Sequence, residues 1–313
     1  MKIIRLSTPH SLERQELPET IAAIGFFDGI HKGHRAVIEK AVMLAKEEGK
    51  ESAVITFHPH PSVVLKKPSK PVLYITAQDE KVELIEQMGV DRLYIITFNE
   101  QLSRLAPKKF IEQFIVQLHI THLVAGFDFT FGFKGAGNMH NIDEMAKGKF
   151  STTTVEKQQY AGEKISSTRI RKCLATGEVD KVIPLLGRPY QTTGKVIEGD
   201  KRGRKLGFPT ANLQTDDEKL LPKRGVYAVK VLYDEKFYFG MANLGVKPTF
   251  VKGQTKPQVE VYIFDFDHNI YGETLVIEWH QYIRAEKKFN GIEEIVTQLQ
   301  DDEKRIRQFF NIE

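Results

Sequence analysis

The segment GFFDGIHKGH, residues 25–34, contains the residues best suited to chemistry on phosphate groups. Its two histidines, His31 and His34, are three positions apart, so at the start of a helix both imidazoles face the same side. Its glycines allow a tight turn and a close approach of the backbone to a ligand. Because a helix N-terminus presents free N–H groups and the positive end of a dipole, we interpret the segment as a site for in-line attack on an α-phosphate, the chemistry of nucleotidyl transfer.

Two alternatives to a phosphate site remain open for this segment. The histidines can simply be surface residues on a turn. A zinc site is the weaker alternative, since the chain has a single cysteine, Cys173, and the spacing does not match that of paired helical ligands. A Walker-type site is excluded, because residues 132–137 have its glycine spacing but continue to Asn138 without the required Lys and Ser or Thr.

A second polar segment of the first half is KISSTRIR, residues 164–171. It places Ser167, Thr168 and Arg169 at a helix start, where hydroxyls and a cation suit the phosphates of ATP. A capped surface helix with solvated arginines is the alternative.

Aromatic residues alternate in GFDFTFG, residues 126–132, around Asp128. They can wall a flat ring, with Asp128 as a hydrogen-bond acceptor, or anchor a loop in the core. The segment HPHP at residues 58–61 is equally ambiguous.

A glycine-rich basic loop lies within GKVIEGDKRGRKLGFPTANL, residues 194–213. Its glycines and basic residues are Gly199, Gly203, Gly207, Lys201, Arg202, Arg204 and Lys205. The composition favours a backbone-lined anion site, and a charged hairpin turn is the alternative.

Three further side chains of the second half suit phosphoryl transfer. Thr210 and Asn212 are two apart on an extended segment and so face the same side, where a hydroxyl and an amide oxygen suit magnesium. Glu260 begins an alternating apolar pattern in VEVYIFDF, residues 259–266. It can serve as a base for an attacking hydroxyl, or it can be an ordinary exposed strand residue.

The elements that must position these residues follow from the hydrophobic pattern. In the first half, short apolar runs alternate with helix-period segments, which is typical of a parallel sheet wrapped by crossover helices. The predicted strands are residues 21–27, 53–57, 93–98, 122–125 and 152–156. The predicted helices are residues 33–48, 79–88, 107–118, 167–175 and 179–186. We therefore expect an α/β fold with an N-terminal doubly wound, Rossmann-like nucleotidyltransferase domain.

After residues 187–189 the pattern changes to runs rich in β-branched and aromatic residues, separated by turn residues. This pattern is typical of an antiparallel β-barrel. A helical period at residues 292–310 predicts a terminal helix packed on the barrel. We predict two domains, residues 1–186 and 187–313.

Composition limits the class of protein. The chain of 313 residues has 45 Lys plus Arg against 41 Asp plus Glu, a balance that allows anionic ligands but is not that of a nucleic-acid-binding surface. No run approaches the ~18 apolar residues of a membrane span, and the start turns polar too soon for a signal peptide. With one cysteine, we expect a cytoplasmic protein. From the charge balance and the lack of an apolar run, we expect small-molecule substrates and no nucleic-acid or membrane partner; an oligomer is possible but not indicated.

GFFDGIHKGH, GFDFTFG and KISSTRIR, in this order and spacing, resemble the adenylyltransferase half of the prokaryotic bifunctional riboflavin kinase/FAD synthetases. The first motif alone is shared with other nucleotidyltransferases, but the three together are much narrower. GDKRGRKLGFPTAN, NLGVKPTF, VEVYIFDF and YIRAEKKF resemble the successive signatures of the riboflavin kinase module. The resemblance covers nearly the whole chain, and no motif residue is missing.

The resemblance implies an enzyme that phosphorylates riboflavin with ATP to FMN and then adenylylates FMN with ATP to FAD and pyrophosphate. Glu260 would be the base on the ribityl 5′-hydroxyl, and His31 and His34 would carry adenylyl transfer. Thr210 and Asn212 would hold Mg²⁺ with ATP. The implied nucleotide contacts are Gly25, Phe27, Asp28, Gly33, Ser167, Thr168, Arg169, Gly199, Arg204 and Gly207. The implied flavin contacts are Asp128, Phe129 and Arg284.

Two other functions remain open from the sequence. One is a nucleotidyltransferase acting on a phosphorylated alcohol or pantetheine, with the barrel as an accessory domain; the Thr, Asn and Glu set of the barrel argues against it. The other is a regulatory nucleic-acid-binding protein that keeps a flavin-enzyme scaffold, whose binding would weaken steeply with salt.

Overall fold

The computed structural model describes residues 1–66, 71–199, 202–248 and 255–312. Lys201 of the predicted basic loop lies outside these residues, as do the last two residues of the NLGVKPTF segment. The side chains of residues 202, 205, 247, 248, 255 and 256 also lie outside the described part. The chain divides into two compact units, Met1–Ser167 and Thr168–Glu313.

A sheet of six parallel strands forms the centre of the first unit. The strands are β1 (Lys2–Leu6), β2 (Thr20–Ile24), β3 (Glu51–His58), β4 (Arg92–Thr97), β5 (Ile120–Gly126) and β8 (Ser151–Val155). Four two-residue strands form separate small sheets: β6 (Thr130–Phe131) with β7 (Gly137–Asn138), and β9 (Gln159–Tyr160) with β10 (Glu163–Lys164). The order in the main sheet is β1-β4-β3-β2-β5-β8. The predicted parallel sheet is confirmed, with one edge strand, β1, that was not predicted.

The helices of the first unit cover the sheet. They are α1 (Lys32–Glu48), α2 (Pro61–Lys66), α3 (Gln78–Glu86), α4 (Glu100–Ser103), α5 (Pro107–Ile111) and α6 (Ile142–Ala146). Successive residues of β2 enter different apolar clusters: Ile21 packs with the α1 side chains, and Ala22 packs with Phe110 and Phe114. Because neighbouring residues of a strand point to opposite faces, the sheet is buried on both sides, as expected for a doubly wound fold.

The structure confirms the predicted end of one helix and shows that another predicted helix is interrupted. Helix α1 ends at Gly49, whose φ of +66° is a left-handed cap that glycine adopts readily. The helix predicted from Pro107 through Leu118 is not continuous. It leaves the α-helical pattern at residue 112 and forms a π-helical turn, Glu112–Val116.

The second unit is a closed antiparallel barrel with helices. Its strands are β11 (Tyr190–Ile197), β12 (Ala211–Thr215), β13 (Gly225–Tyr233), β14 (Lys236–Pro248), β15 (Thr255–Ile263) and β16 (Thr274–Arg284), in the closed order β11-β12-β15-β14-β13-β16. Its helices are α7 (Ser167–Thr176, beginning on the last residue of the first unit), α8 (Val179–Leu186), α9 (Arg202–Lys205) and α10 (Ile292–Phe310). The predicted barrel and terminal helix are confirmed.

Aromatic and apolar residues fill the barrel, and α10 covers part of its outside. Trp279 is fully buried and donates a hydrogen bond to the Thr192 hydroxyl at 2.9 Å. Ile306 of α10 packs with Phe208 and Met241. Helix α8 packs on β11 and β16. The assignment of separate activities to residues 1–186 and 187–313 stays a prediction.

Candidate active sites

Three sequence motifs meet at one edge of the parallel sheet. Residues 25–34 follow β2, residues 58–61 begin at the last residue of β3, and residues 126–132 begin at the last residue of β5. Strand β2 lies between β3 and β5. From β2 the chain passes to β3, which lies on one side of β2 in the sheet, and then to β4. Strands β5 and β8 lie on the other side of β2. Ligands of open α/β sheets bind at such a reversal of strand order, outside the carboxyl ends of the strands.

His31 caps helix α1 with its own side chain. Its Nδ1 accepts the backbone N–H of His34 at 3.1 Å, so the neutral ring carries its proton on Nε2. The two imidazoles stack with ring centroids 3.6 Å apart and planes 18° apart. Nε2 of His31 is therefore a fixed hydrogen-bond donor at the helix N-terminus, beside a second imidazole.

Both histidines are neutral at pH 7. Burial lowers the pKa of His31 to about 4, and His31 is only 6% exposed. Burial, followed by the neighbouring His31, lowers the pKa of His34 well below its usual value. The pair therefore offers hydrogen bonds to a phosphate without adding charge.

The turn before α1 is built by residues that the sequence assigned to the nucleotide. Phe27 has a φ of +54°, and a Cβ on Gly25 would lie 2.7 Å from Cε1 of its ring, so Gly25 makes room for that ring. The Asp28 carboxylate accepts the N–H groups of Ile75 at 2.9 Å and Thr76 at 3.3 Å. The side chains of Phe27 and Asp28 are buried and hold the shape of the turn.

Gly33 and Ser167, also expected at this nucleotide site, adjoin the same turn. A Cβ on Gly33 would lie 3.1 Å from Cε1 of His31, so this position keeps the imidazole uncrowded. The Ser167 hydroxyl donates to the Asp28 carbonyl at 2.9 Å, which brings it to the turn. Thr168, exposed, and Arg169, half-buried, follow Ser167 on α7.

The aromatic segment after β5 is divided between core and surface. The Asp128 carboxylate pairs with Lys164 Nζ at 2.6 Å, and that ammonium lies 4.6 Å from the ring centroid of Phe127. Phe129 and Phe131 stack at 5.8 Å and pack into the core. Asp128 and Phe127 thus face the surface next to the site, while Phe129 supports it from below.

An aromatic wall at the same edge was not among the predicted site residues. His60 lies edge-on to the Phe26 ring, with centroids 4.4 Å apart, and its backbone N–H donates to the Tyr74 hydroxyl at 2.9 Å. The HPHP segment, which the sequence left ambiguous, was the signal for this wall. Aromatic side chains of this kind favour contact with a planar ligand.

Two cavities lie side by side in the barrel unit, with volumes of about 470 and 280 Å³. Gly203 and Thr210 line both of them. The larger is also lined by Gly199, Arg204 and Asn212. Gly199, Gly203 and Arg204 of the predicted basic loop therefore line one cavity together with Thr210 and Asn212.

The smaller cavity is lined by Glu260, Arg284 and Asn243, among other residues. Glu260 and Asn212 are Cα partners on β15 and β12, so both side chains lie on one face of the sheet. Gly207 takes a φ of +81° in the turn that follows α9. The structure thus joins the sites predicted from Thr210, Asn212, Glu260 and Arg284.

The Asn212 side chain depends on the glycine at position 199. A Cβ on Gly199 would lie 2.0 Å from Nδ2 of Asn212. The Asn212 Oδ1 accepts a hydrogen bond from Gln258, which orients the amide oxygen. Gly199 is therefore required for this placement of the amide.

The donors at the larger cavity suit magnesium carried by phosphates. Thr210 and Asn212 supply neutral, hard oxygen atoms, and in the described part of the chain no group of three His, Cys, Asp or Glu residues could hold a metal ion. Mg²⁺ commonly takes few protein ligands when substrate phosphates and waters complete its shell. The residues present fit an ion of this kind.

Arg284 is held by an acidic residue of the terminal helix. Its Nε lies 2.9 and 3.0 Å from the two carboxylate oxygens of Asp302, and its Nη2 lies 2.7 Å from Oδ2. Asp302 is fully buried and also accepts from Gln298 at 3.1 Å. Asp302 therefore fixes the Arg284 guanidinium at the smaller cavity. No sequence motif indicated Asp302.

These features define a class: a two-unit enzyme acting on phosphate groups, with a nucleotidyltransferase-type sheet and a barrel with paired cavities. None of the helices in the described ranges is both long and apolar enough to span a bilayer. Comparison with known proteins narrows the class. Residues 13–169 match the family model of FAD synthetase, and residues 186–310 match that of riboflavin kinase.

Relatives match the chain from end to end. The bifunctional riboflavin kinase/FMN adenylyltransferase of Listeria monocytogenes is 46% identical over 310 residues, which is 99% of this chain and 98% of the relative. That of Bacillus subtilis is 45% identical over 314 residues, 100% of this chain and 99% of the relative. The chain belongs to the family of bifunctional riboflavin kinase/FMN adenylyltransferases, which make FMN and FAD.

A solved structure matches almost the entire chain. It comes from Streptococcus pneumoniae, is described as a macrolide-efflux protein, and superposes with a TM-score of 0.87 at 33% identity, covering 97% of this chain and 99% of the other.

Proposed function

We propose that the two cavities of the barrel carry riboflavin phosphorylation. ATP would occupy the larger cavity, with its phosphates toward Gly199, Arg204 and Gly203. Riboflavin would occupy the smaller cavity, with its ribityl chain toward Glu260. The observation that carries this assignment is that the two cavities adjoin at Gly203 and Thr210, which line both. A donor in one cavity and an acceptor in the other can meet at these residues and react by positioning alone.

Glu260 acts as the base in this step. Its carboxylate accepts the proton of the 5′-hydroxyl while the hydroxyl oxygen forms a bond to the γ-phosphorus of ATP, and the bond from that phosphorus to ADP breaks. Arg284, which lines the same cavity, orients the flavin. Thr210 and Asn212 would hold Mg²⁺, which, when bound with ATP, neutralises charge on the phosphates.

His31 and His34 carry the second reaction at the edge of the parallel sheet. The phosphate of FMN attacks the α-phosphorus of ATP, and pyrophosphate leaves. Nε2–H of His31 donates to an oxygen of the reacting phosphate, and the free N–H groups of the α1 N-terminus add further donors. Ser167, Thr168 and Arg169 contact the departing phosphates.

The flavin ring of FMN lies against the aromatic wall of Phe26, His60 and Tyr74, with Asp128 at the surface beside it and Phe129 packed beneath. The clustering of these rings supports this placement, since Phe26 contacts His60 edge-on and Tyr74 at a tilt and aromatic side chains favour contact with flat ligands. We assign adenylylation to residues 1–186 and phosphorylation to residues 187–313; residues 13–169 match the FAD synthetase model and residues 186–310 match the riboflavin kinase model. We further propose a cytoplasmic location, which the presence of one cysteine supports.

The test is product analysis with purified full-length protein, riboflavin, ATP and Mg²⁺. We expect FMN and FAD, together with ADP and pyrophosphate. Supplying FMN in place of riboflavin isolates the second reaction. FMN as the only product would contradict the assignment of the histidine site, and failure to consume riboflavin would contradict that of the barrel.

A further inference from the structure

Lys81 of helix α3 is a buried cation that no sequence motif includes. Its side chain is 1% exposed. Its Nζ donates to the carbonyl oxygen of Phe26 at 3.2 Å and lies 4.7 Å from the centroid of the Phe26 ring. In the described part of the chain it forms no ion pair with a carboxylate. Burial lowers its pKa, and the more distant negative charge of Asp28 acts to raise it. A buried ammonium with three donors and one carbonyl acceptor is incompletely compensated.

Three buried side-chain atoms of neighbouring residues in the described ranges lack hydrogen-bond partners. They are His34 Nδ1, Thr76 Oγ1 and Gln78 Nε2. The backbone N–H of Thr76 bonds the Asp28 carboxylate, and Gln78 precedes Lys81 by three residues on α3, so the two share a helix face. Buried polar groups are nearly always paired in native proteins. These atoms can therefore bond to water or to a polar ligand.

We propose that Lys81 is a positioning residue of adenylyl transfer, whose buried ammonium holds the Phe26 carbonyl and places a fixed positive charge beneath the turn that receives the phosphates of ATP. The Phe26 carbonyl also accepts the Thr56 hydroxyl at 3.0 Å, so the turn is anchored from two elements. The inference rests on the function proposed for His31 and His34.

The charge matters because the histidine pair supplies none. Burial keeps both imidazoles neutral, so attraction for the phosphates must come from neighbouring cations and the helix dipole. Lys81 is close enough to His34 to contribute to lowering its pKa. Lys164, from the β9–β10 hairpin, acts on both histidines as well but is a surface residue paired with Asp128. Lys81 is the buried member of this pair of cations.

The groups acting on Lys81 define its pH dependence. Burial lowers its pKa to about 8, and the negative charge of Asp28 works in the opposite direction. Among the described residues, His34 of α1 is also electrostatically coupled to Lys81, and it is neutral throughout the alkaline range. Lys81 is therefore charged at pH 7 and loses its proton as the pH rises through about 8, together with its attraction for phosphate.

The experiment compares Lys81→Met and Lys81→Arg with the wild-type full chain. Lys46→Met on α1, an exposed site, is the control for loss of one positive charge. FMN adenylylation is measured over a range of ATP concentrations and, separately, of FMN concentrations. We expect Lys81→Met to raise KM for ATP by about tenfold or more and KM for FMN much less. Lys81→Arg should restore most of the ATP affinity, and Lys46→Met should match wild type.

Several results would overturn the proposal: an unchanged KM for ATP in Lys81→Met, equal increases in both KM values, or an arginine variant as impaired as the methionine one. If Lys81→Met does not fold, the wild-type pH profile decides. kcat/KM for ATP must fall as pH rises through about 8 in wild type and persist to higher pH in Lys81→Arg; a flat wild-type profile there contradicts the role. Adenylyl transfer that survives His31→Ala with His34→Ala would instead refute the proposed function itself.

Discussion

Asn212 and Glu260 lie directly opposite each other on the neighbouring strands β12 and β15. Asn212 lines the larger barrel cavity and Glu260 the smaller one. Directly opposed residues of antiparallel strands have Cβ atoms roughly 5 Å apart. A strand pairing thus holds a residue of the proposed nucleotide site against one of the proposed flavin site, without any flexible loop between them.

Replacing Glu260 by glutamine tests the base. The variant keeps the size of the side chain but cannot accept the proton of the hydroxyl. FMN formation should fall by about 100- to 10,000-fold, the usual contribution of general-base catalysis. FAD formation from supplied FMN should stay at the wild-type rate. Glu273→Gln, at an exposed position of the same barrel, serves as the control. Near-normal phosphorylation in Glu260→Gln would show that another group takes the proton.

Replacing Gly199 by alanine tests the placement of Asn212. The new Cβ would lie 2.0 Å from the amide nitrogen, so the amide must move away from the larger cavity. We expect a higher Mg²⁺ concentration for half-maximal phosphorylation and a lower kcat, with unchanged adenylylation. Gly291→Ala is the matched control, because no atom lies within 4 Å of a Cβ there. A normal Mg²⁺ dependence in Gly199→Ala would separate Asn212 from metal binding.

Replacing Asp302 by asparagine tests the anchoring of Arg284. Removing one partner of a buried ion pair leaves an uncompensated charge and costs about 3–5 kcal/mol. The single tryptophan, Trp279, is buried in the barrel, so its fluorescence reports barrel unfolding in urea. Asp301→Asn, on the exposed neighbouring position, should change stability by less than about 0.5 kcal/mol. Equal midpoints for the two variants would mean that Arg284 finds its position without Asp302.

The pKa of His31 predicts how the first unit responds to acid. An unfolded histidine takes up a proton near pH 6.5, whereas folded His31 does so only near pH 4. The unfolded state therefore binds more protons in this window, and the free energy of unfolding falls as the pH decreases from about 6.5 to 4, by about 3 kcal/mol from this group. Hydrogen exchange of the β2 amides, compared between wild type and His31→Ala, measures the effect. Parallel pH curves for the two proteins would contradict it.

Strong periodicity made most elements predictable, and weak periodicity concealed others. The terminal helix, residues 292–310, was predicted at its observed bounds because its apolar residues recur at helical spacing over 19 residues. Strand β1 was missed because its short sequence, KIIRL, contains two basic residues and lies at a sheet edge. The π-helical turn was missed because its bond from the Gln117 N–H to the Glu112 carbonyl, 2.9 Å, does not alter the apolar pattern.

The residues of the candidate sites likewise divide into those that a sequence motif indicates and those that only tertiary contacts reveal. His31, Thr210 and Glu260 belong to motifs whose residue types indicate their chemistry. The capping role of His31, by contrast, depends on the detailed geometry of one bond. Lys81 and Asp302 have no motif, since each is defined by a partner distant in the chain: Phe26 is 55 residues from Lys81, and Arg284 is 18 from Asp302. Such residues become visible only when tertiary contacts are known.

The junction of the two barrel cavities at Gly203 and Thr210 has a stereochemical consequence. In the proposed arrangement, with ATP in one cavity and the acceptor hydroxyl in the other, the phosphoryl group passes directly from donor to acceptor in a single displacement, with no phosphorylated side chain between them. One in-line displacement inverts the configuration at phosphorus. FMN made from ATP with a γ-phosphate rendered chiral by oxygen isotopes should therefore carry a phosphate of the opposite handedness.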